Sequence, residues 1–307
     1  MDHYLPSVGL VTVTRGTAIA LCVTGMVLVG SSVAVSQLLL DYPILTGQAA
    51  RYTAAALALY AFAALFPRFG AGTAHRPRLT GREIGILSTL AATGMAGFNA
   101  CILIALRHAD AAVVGTVIGA APLGLAMLGP LLRGERPGVR IVAAAGVVVG
   151  GTALVQGTGR ADAIGLAAAA GALAGEVAFS LLAAAVLARL GPVRVAAHSC
   201  AFAVPLLLVG AVASGEVARW RPPTAAEVGA LAYLAALMTV AAFVVWFVGL
   251  QRLGVERAGM IVGVMPVATL ATAAVMASAL PAAGQAAGVL TVAAGLALGL
   301  AAPARPG

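Results

Sequence analysis

A single carboxylate, Glu176, stands in the middle of an otherwise apolar stretch, LAAAAGALAGEVAFSLLAAAV, which covers residues 166–186. Inside a bilayer such a group costs about 3 kcal/mol, so it should face the protein interior or a wet cavity, or be protonated. Ser180 follows four residues later, on the same face of a helix. Two functions suit this carboxylate: it could bind an ammonium group of a substrate, or carry a proton that couples transport. A hydrogen-bonded acid between two helices is the structural alternative.

Five other residues within apolar stretches are candidates for the same substrate site. Arg51 either contacts a substrate or extends to the outer membrane surface, and Asn99 either faces a pocket or bonds a neighbouring helix. Ser32 belongs to a serine cluster, although serines in membrane helices often serve close packing alone. Trp246 could wall a cavity together with Phe243, which would suit an apolar or aromatic solute. Trp246 could equally lie at the membrane interface.

Signatures of other chemistries are missing from the sequence. The chain contains no lysine, so it has no phosphate-binding loop that ends in Lys, and ATP-driven transport by this chain alone is disfavoured. Cys22, Cys101 and Cys200 lack the spacing of metal ligands, and the four histidines are scattered. We therefore expect no metal, no cofactor and no enzymatic activity. The alternative enzyme class, a membrane-embedded transferase, would need clustered His, Asp or metal ligands.

Composition predicts that these residues lie in a membrane. The 307 residues are 62% hydrophobic and only 9% charged, whereas about a quarter of a soluble domain is charged. Because lipid cannot satisfy free backbone groups, the apolar runs must cross it as helices. We predict an all-α polytopic membrane protein with ten transmembrane helices. Helices 1 to 10 are expected at about 17–38, 44–66, 84–106, 111–132, 139–156, 163–188, 193–213, 227–250, 257–279 and 284–302.

The distribution of arginine predicts the orientation. All 18 basic residues are arginine, and the net charge is +8. If the N-terminus is cytoplasmic, 13 of them lie on the cytoplasmic side and 4 on the other, while Arg51 lies inside helix 2. Because basic loops remain in the cytoplasm, we expect both termini there. The positive charge thus sets orientation, and a nucleic-acid partner is not expected.

An internal repeat divides the chain. ALRHADAAVVGTVIGAAP (105–122) aligns without a gap with GLQRLGVERAGMIVGVMP (249–266), which lies 144 residues further on. We predict two five-helix units, 17–156 and 163–302. Because five is odd, the halves should be inverted, which suits alternating access. The residues that both copies share, and that should pack helices 4 and 9 together or bend them, are Gly115, Gly119, Pro122, Gly259, Gly263 and Pro266.

The sequence resembles the EamA-type transporters of the drug/metabolite transporter superfamily. VGSSVAVSQLLLDYPILTGQAARYTAAAL (29–57) is similar to the first hairpin of the family, with Arg51 at its usual arginine. Residues 105–151 follow the fourth and fifth helices, including a Gly-Glu turn at Gly134 and Glu135, and the second half repeats the pattern over 249–270. Ser278 and Ala279 replace the second Gly-Glu, so Glu135 is expected to be a loop and helix-end element.

The resemblance implies a carrier of small organic solutes in a bacterial cytoplasmic (inner) membrane, most often an exporter. It also implies a central cavity lined by helices 1, 3, 4, 6, 8 and 9, with helices 5 and 10 at the periphery. We therefore expect secondary transport of a small amphipathic metabolite or drug, with proton coupling through Glu176. The expected partners are that substrate, the lipid bilayer and a second copy of the chain through helices 5 and 10. A membrane assembly partner that does not transport is the remaining alternative, which an inverted repeat disfavours.

Overall fold

A computed structural model describes residues 14–39, 41–67, 78–278 and 280–301 of the protein. These residues form ten helical rods, α1 to α10, which follow helices 1 to 10 of the sequence. The first half contains α1 (Arg15–Ser36), α2 (Ile44–Leu65), α3 (Gly81–His108), α4 (Ala111–Leu132) and α5 (Val139–Gln156). The second half contains α6 (Ala163–Leu190), α7 (Pro192–Ala213), α8 (Ala225–Leu253), α9 (Val255–Ala277) and α10 (Ala283–Leu300).

Nine rods of the described chain are long and apolar enough to cross a membrane. The rod outside this group is α2, which has 22 residues. Its mean hydropathy is lowered by the polar side chains of Gln48, Arg51 and Tyr52. The observed ends lie within a few residues of the predicted ones, because loops rich in Pro, Gly and charge interrupt the apolar runs. The predicted all-helical class is confirmed, whereas the tenth crossing stays a prediction.

The two halves carry the same local irregularities at corresponding positions. A π-helical segment, Ala91–Gly97, widens α3, and a second one, Leu234–Ala241, widens α8. The start of α3 is closed by a capping box over Thr80–Glu83, and the start of α8 by another over Thr224–Glu227. Because each box satisfies helix-end N–H groups with a local side chain, it fixes where the helix begins. The duplication is therefore visible in backbone geometry as well as in sequence.

Both α4 and α9 are interrupted near their middle. The α4 rod consists of Ala111–Ile118 and Ala121–Leu132, and the α9 rod of Val255–Ile261 and Val264–Ala277. The repeated prolines lie in the first turn of each second segment, where a missing N–H leaves no intrahelical bond unmade. The predicted bend at Pro122 and Pro266 is therefore a short break of two residues in each rod, across which the N–H of Gly119 still donates to the Gly115 carbonyl oxygen at 2.8 Å and the N–H of Gly263 to the Met260 carbonyl oxygen at 3.2 Å.

The two breaks lie against α5. A Cβ atom added to Gly119 would collide with Thr152, and one added to Gly263 would collide with Val148. Val148 and Thr152 are both fully buried, and their spacing of four residues places them on one face of α5. This face of α5 therefore contacts the interruption of both broken helices.

The remaining repeated glycines have different partners. A Cβ atom on Gly115 would collide with Gln156, also on α5, while one on Gly259 would lie 2.7 Å from the Cδ1 atom of Leu125 on α4. Helices α4 and α9 do pack on one another, and Gly259 lies at that contact, whereas the other three repeated glycines lie against α5. The glycines permit close approach as predicted, but three of the four accept side chains of α5, and Gly259 accepts Leu125.

Contacts between the halves follow a two-fold pattern. Helix α1 packs on α8 and α9, and in the corresponding way α6 packs on α3 and α4. Two further pairs, α2 with α7 and α5 with α10, join equivalent helices of the two halves. A single large cluster of buried apolar side chains extends across both halves. The repeats therefore form one packed body and not two separate domains.

Candidate functional site

Glu176 lies midway along α6, on the face that points into the protein. Its neighbours on that face, Ala172, Ser180 and Ala183, are fully buried, whereas Glu176 keeps part of its surface accessible. The residues on either side of it in the chain pack tightly against α3 and α4. Glu176 is therefore less tightly enclosed than its neighbours on this face of α6.

No residue in the described ranges forms a hydrogen bond or an ion pair with Glu176, and no charged side chain there acts on it. The hydroxyl group of Ser180 is also buried without a partner. A buried carboxyl group without a partner is costly, unless it is protonated or meets a ligand. Within the described ranges, Glu176 thus makes no interhelical hydrogen bond of the kind that the structural alternative requires.

An aromatic cluster lies beside Glu176 where α6 meets α8. The ring of Phe179 lies 5.2 Å from that of Phe243 and 5.4 Å from that of Phe247, measured between centroids. Trp246 is 3% exposed, so the interface position considered for this residue is wrong. Its Cβ atom packs near Gly25 of α1, and the wall between α1 and α8 is consequently apolar and rigid.

Asn99 and Ser32 both bond to their own helices. The Nδ2 atom of Asn99 donates to the Met95 carbonyl oxygen at 2.6 Å, beside the π-helical segment of α3. The hydroxyl of Ser32 donates to the Val29 carbonyl oxygen at 2.7 Å. Neither side chain bonds to another helix within the described residues, so these groups satisfy local backbone carbonyls. The bond to a neighbouring helix considered for Asn99 is not made.

Arg51 lies on the buried side of α2 and lines a cavity of about 180 Å³ between α1, α2 and α8. The residue is 5% exposed, so the alternative that it extends to the outer surface is wrong. Its Nη1 atom donates to the sulfur of Met238 at 2.9 Å, and its guanidinium carbon lies 4.4 Å from the centre of the Tyr52 ring. The Nε atom of Arg51 is buried without a partner among the described residues.

Two further cavity residues were missed by the sequence reasoning. Gln48 lies three residues before Arg51, on the same helix face, and its Oε1 atom is buried without a partner. Tyr42, in the connection before α2, is 5% exposed and also lines the cavity. The spacing of Gln48 and Arg51 is the signal that could have found the first. Glu176 does not line this cavity, so the two sites are separate.

Ion pairs join the halves at one end of the bundle. Arg133, at the end of α4, bonds Glu135 at 3.0 Å and Glu256 of α9 at 2.5 Å. These hydrogen bonds, first that to Glu135, raise the pKa of Arg133 above its ordinary value. Arg189, at the end of α6, pairs with Glu83 at the start of α3. Glu135 thus acts beside a helix end, in a network that crosses between the halves.

A smaller link joins the halves at the opposite end of α3. The Nδ1 atom of His108 lies 2.8 Å from a carboxylate oxygen of Asp162, which precedes α6. The adjoining residues Ala109 and Ala161 form an isolated antiparallel β-bridge. The backbone N–H of Gly165, and then the ring of His108, lower the pKa of Asp162. Both ends of the contact between α3 and α6 are therefore held by polar links.

These features define a class: a multi-pass membrane protein built from two helical repeats around internal polar sites. The sequence profile described as the EamA-like transporter family matches residues 16–156 and again residues 163–300. The chain therefore belongs to the EamA-like transporter family, and the resemblance to the drug/metabolite transporter superfamily is confirmed. Proteins of this family are in general membrane transporters and not enzymes.

Among solved structures, one titled "Crystal structure of protein" shares the fold of this chain. The two have a TM-score of 0.74 and 20% sequence identity, over 93% of this chain and 96% of the other. At that identity the likeness concerns the fold alone. No curated protein sequence matches the chain.

Proposed function

We propose that the protein is a secondary transporter that exports a small amphipathic metabolite or drug across a bacterial cytoplasmic membrane. The observation that carries the proposal is Glu176, an ionisable group midway along a helix that can cross the membrane, with no hydrogen-bond or ion-pair partner among the described residues. Ionisable residues at such positions in membrane proteins mark pathways for substrates, ions or protons. The family membership supports transport as the general activity.

The proposal includes a tenth crossing by α2. Its 22 residues span about 33 Å at about 1.5 Å per residue, which suffices for a hydrocarbon core of about 30 Å. Its packing against α7, a helix that can cross, supports this position. Each half then crosses five times, so the halves are inverted and both termini are cytoplasmic, as the arginine distribution predicts.

Alternating access would use the breaks in α4 and α9. Each break lets the two segments of a helix change their angle without unfolding either one, as in other transporters with discontinuous helices. Opening the bundle at one end would separate Arg189 from Glu83, and opening it at the other would separate His108 from Asp162. Each pair keeps a solvent-exposed member, because His108 and Asp162 are both exposed and Arg189 is exposed although its partner Glu83 is buried, so water can replace the contacts that are broken. They can therefore exchange easily during a cycle.

Glu176 is proposed to couple export to proton entry, or to bind a cationic group of the substrate. With no charged neighbour in the described chain to balance it, its negative form is favoured only when water or a cation reaches it. A proton taken up from outside and released inside would then return the carrier for the next export step. Asn99, Ser32, Phe243 and Trp246 are proposed to shape the substrate pathway around it.

A homodimer through α5 and α10 remains part of the proposal. These two helices already pack on one another within the chain, so a second copy would contact their outward faces. Those faces are apolar, with Leu154 49% and Leu290 72% exposed.

Flux through purified protein in proteoliposomes tests the proposed function. Vesicles are loaded with a panel of amphipathic metabolites and drugs, a proton gradient is imposed, and the vesicle contents are measured by mass spectrometry over time. We expect faster efflux of at least one solute than from protein-free vesicles, and we expect the gradient to accelerate it. Efflux no faster than from protein-free vesicles for every solute, with correctly folded protein present, would reject transport and favour a role in assembly.

A further inference from the structure

Arg51 is a buried cation without an acidic partner in the described chain. None of the ion pairs between its residues includes Arg51, and the contacts of the guanidinium group are a thioether sulfur and an aromatic ring. Arginine remains protonated in proteins, and a buried charge is tolerated when it is paired and hydrogen-bonded. The sulfur of Met238 is the acceptor for Nη1, whereas the buried Nε–H of Arg51 has no acceptor among the described residues, so the guanidinium group keeps donor capacity for a ligand.

The two buried acids at this end of the molecule, Glu216 and Glu227, are already occupied. Glu216 accepts hydrogen bonds from the backbone N–H groups of Leu45 and Thr46, at 3.1 Å and 2.8 Å, and so caps the start of α2. Glu227 accepts from Arg221 at 2.5 Å. Each carboxylate thus satisfies donors of its own, and neither is bonded to Arg51.

The cavity beside Arg51 has two chemically distinct sides. Arg51 and Gln48 form a polar side together with the hydroxyl-bearing Tyr42, while Leu231 and Leu234 form an apolar side. A volume of about 180 Å³ equals roughly six waters at about 30 Å³ each. It fits a compact molecule with a charged end and a short apolar body.

We propose that this cavity binds a small organic anion, such as an aryl or alkyl carboxylate, whose charged group is held by the guanidinium of Arg51. The planar guanidinium suits a carboxylate because it donates two parallel hydrogen bonds. The apolar part of the ligand packs on Leu231 and Leu234. The inference rests on the proposed transport function, for which the cavity is a subsite at one end of the substrate pathway.

Thermal unfolding of the purified protein in a maltoside detergent tests this site. Benzoate is the probe, and benzamide, which is neutral and of the same shape, is its control. We expect saturating benzoate to raise the Tm of the unaltered protein by about 5 °C, because a ligand that binds only the folded state stabilises it. Benzamide should give no such shift. Absence of a saturable benzoate effect would reject the site.

Variants separate ligand binding from a structural role of Arg51. Arg51→Met should raise at least tenfold the benzoate concentration that gives half of the Tm shift. The Tm without ligand should stay unchanged or rise, since no internal ion pair is lost. Arg51→Lys keeps the charge and should retain part of the effect. The matched control is Arg219→Met, which removes an exposed arginine at the same end and should respond to benzoate as the unaltered protein does.

Three other outcomes would overturn the proposal. The first is a lower Tm of Arg51→Met without ligand, which would assign the arginine a structural role. The second is a full benzoate response in that variant. The third is Arg51-dependent stabilisation by added phosphatidylglycerol but none by benzoate, which would make a lipid phosphate the partner. Flux measured on the same preparation keeps the claims apart: flux without a benzoate effect rejects the anion site alone, and a benzoate effect without flux rejects transport alone.

Discussion

Gly263→Leu is expected to abolish solute flux while the protein still inserts into the membrane. A Cβ atom at this position already collides with Val148 of α5, so a leucine side chain must push the break of α9 away from α5. Inserting a side chain into a close-packed contact costs about 1–3 kcal/mol. Because α5 contacts the breaks of both α4 and α9, the displacement would affect the helices that must change angle during transport. Flux in proteoliposomes and monodispersity in detergent are the measurements.

Gly85→Leu is the matched control, since it makes the same substitution at an exposed position of α3, where a Cβ atom meets nothing within 4 Å. It should transport as the unaltered protein does. Gly263→Ala adds only the Cβ atom and should give intermediate flux. Full flux in Gly263→Leu would show that the repeated glycines are a trace of duplication and not part of a moving joint.

Glu176→Gln is expected to remove the pH dependence of transport. The ratio of flux with a proton gradient to flux without one should then be about one. Glutamine keeps the size of the side chain and its capacity for hydrogen bonds but cannot release a proton. Since Glu176 forms no hydrogen bond or ion pair with any described residue, its replacement should leave the fold intact. The measurement is initial flux at several imposed proton gradients.

Asp41→Asn serves as the control for loss of a carboxylate, because Asp41 is exposed in the connection between α1 and α2. It should keep the response to the gradient. If Glu176→Gln also kept the full response, the carboxyl group would not be the coupling residue.

The sequence predicted helix positions well because the membrane imposes a single strong requirement on them. Runs as long as Ala111–Leu132 and Val139–Gln156, bounded by Pro, Gly and Arg, leave few alternatives for where a helix begins and ends. The repeated glycines and prolines also located the two breaks. Their partners could not be predicted, because a small residue marks where helices approach closely and does not say which helix approaches.

The site was predicted only in part, since burial depends on contacts between distant segments. A lone Arg51 near the end of a helix is equally compatible with the membrane surface and with a cavity. The contact with Met238 and the cavity formed with α8 decide between them. The same holds for Trp246, which an aromatic belt would have suited. Glu176 differs, because its depth in a long apolar run already excluded exposure to lipid.

Access to position 176 from the two sides of the membrane tests most directly whether the bundle alternates. A cysteine replaces Glu176 in a protein whose own three cysteines are changed to alanine; a neutral residue there should still permit alternation. Reconstituted protein is then treated with a small membrane-impermeant thiol reagent, applied outside the vesicles or enclosed within them. Our account predicts that the cysteine is labelled from either side. A transported solute that favours opening to one side should slow labelling from the opposite side. Labelling from one side only, or from neither, would contradict alternating access around Glu176.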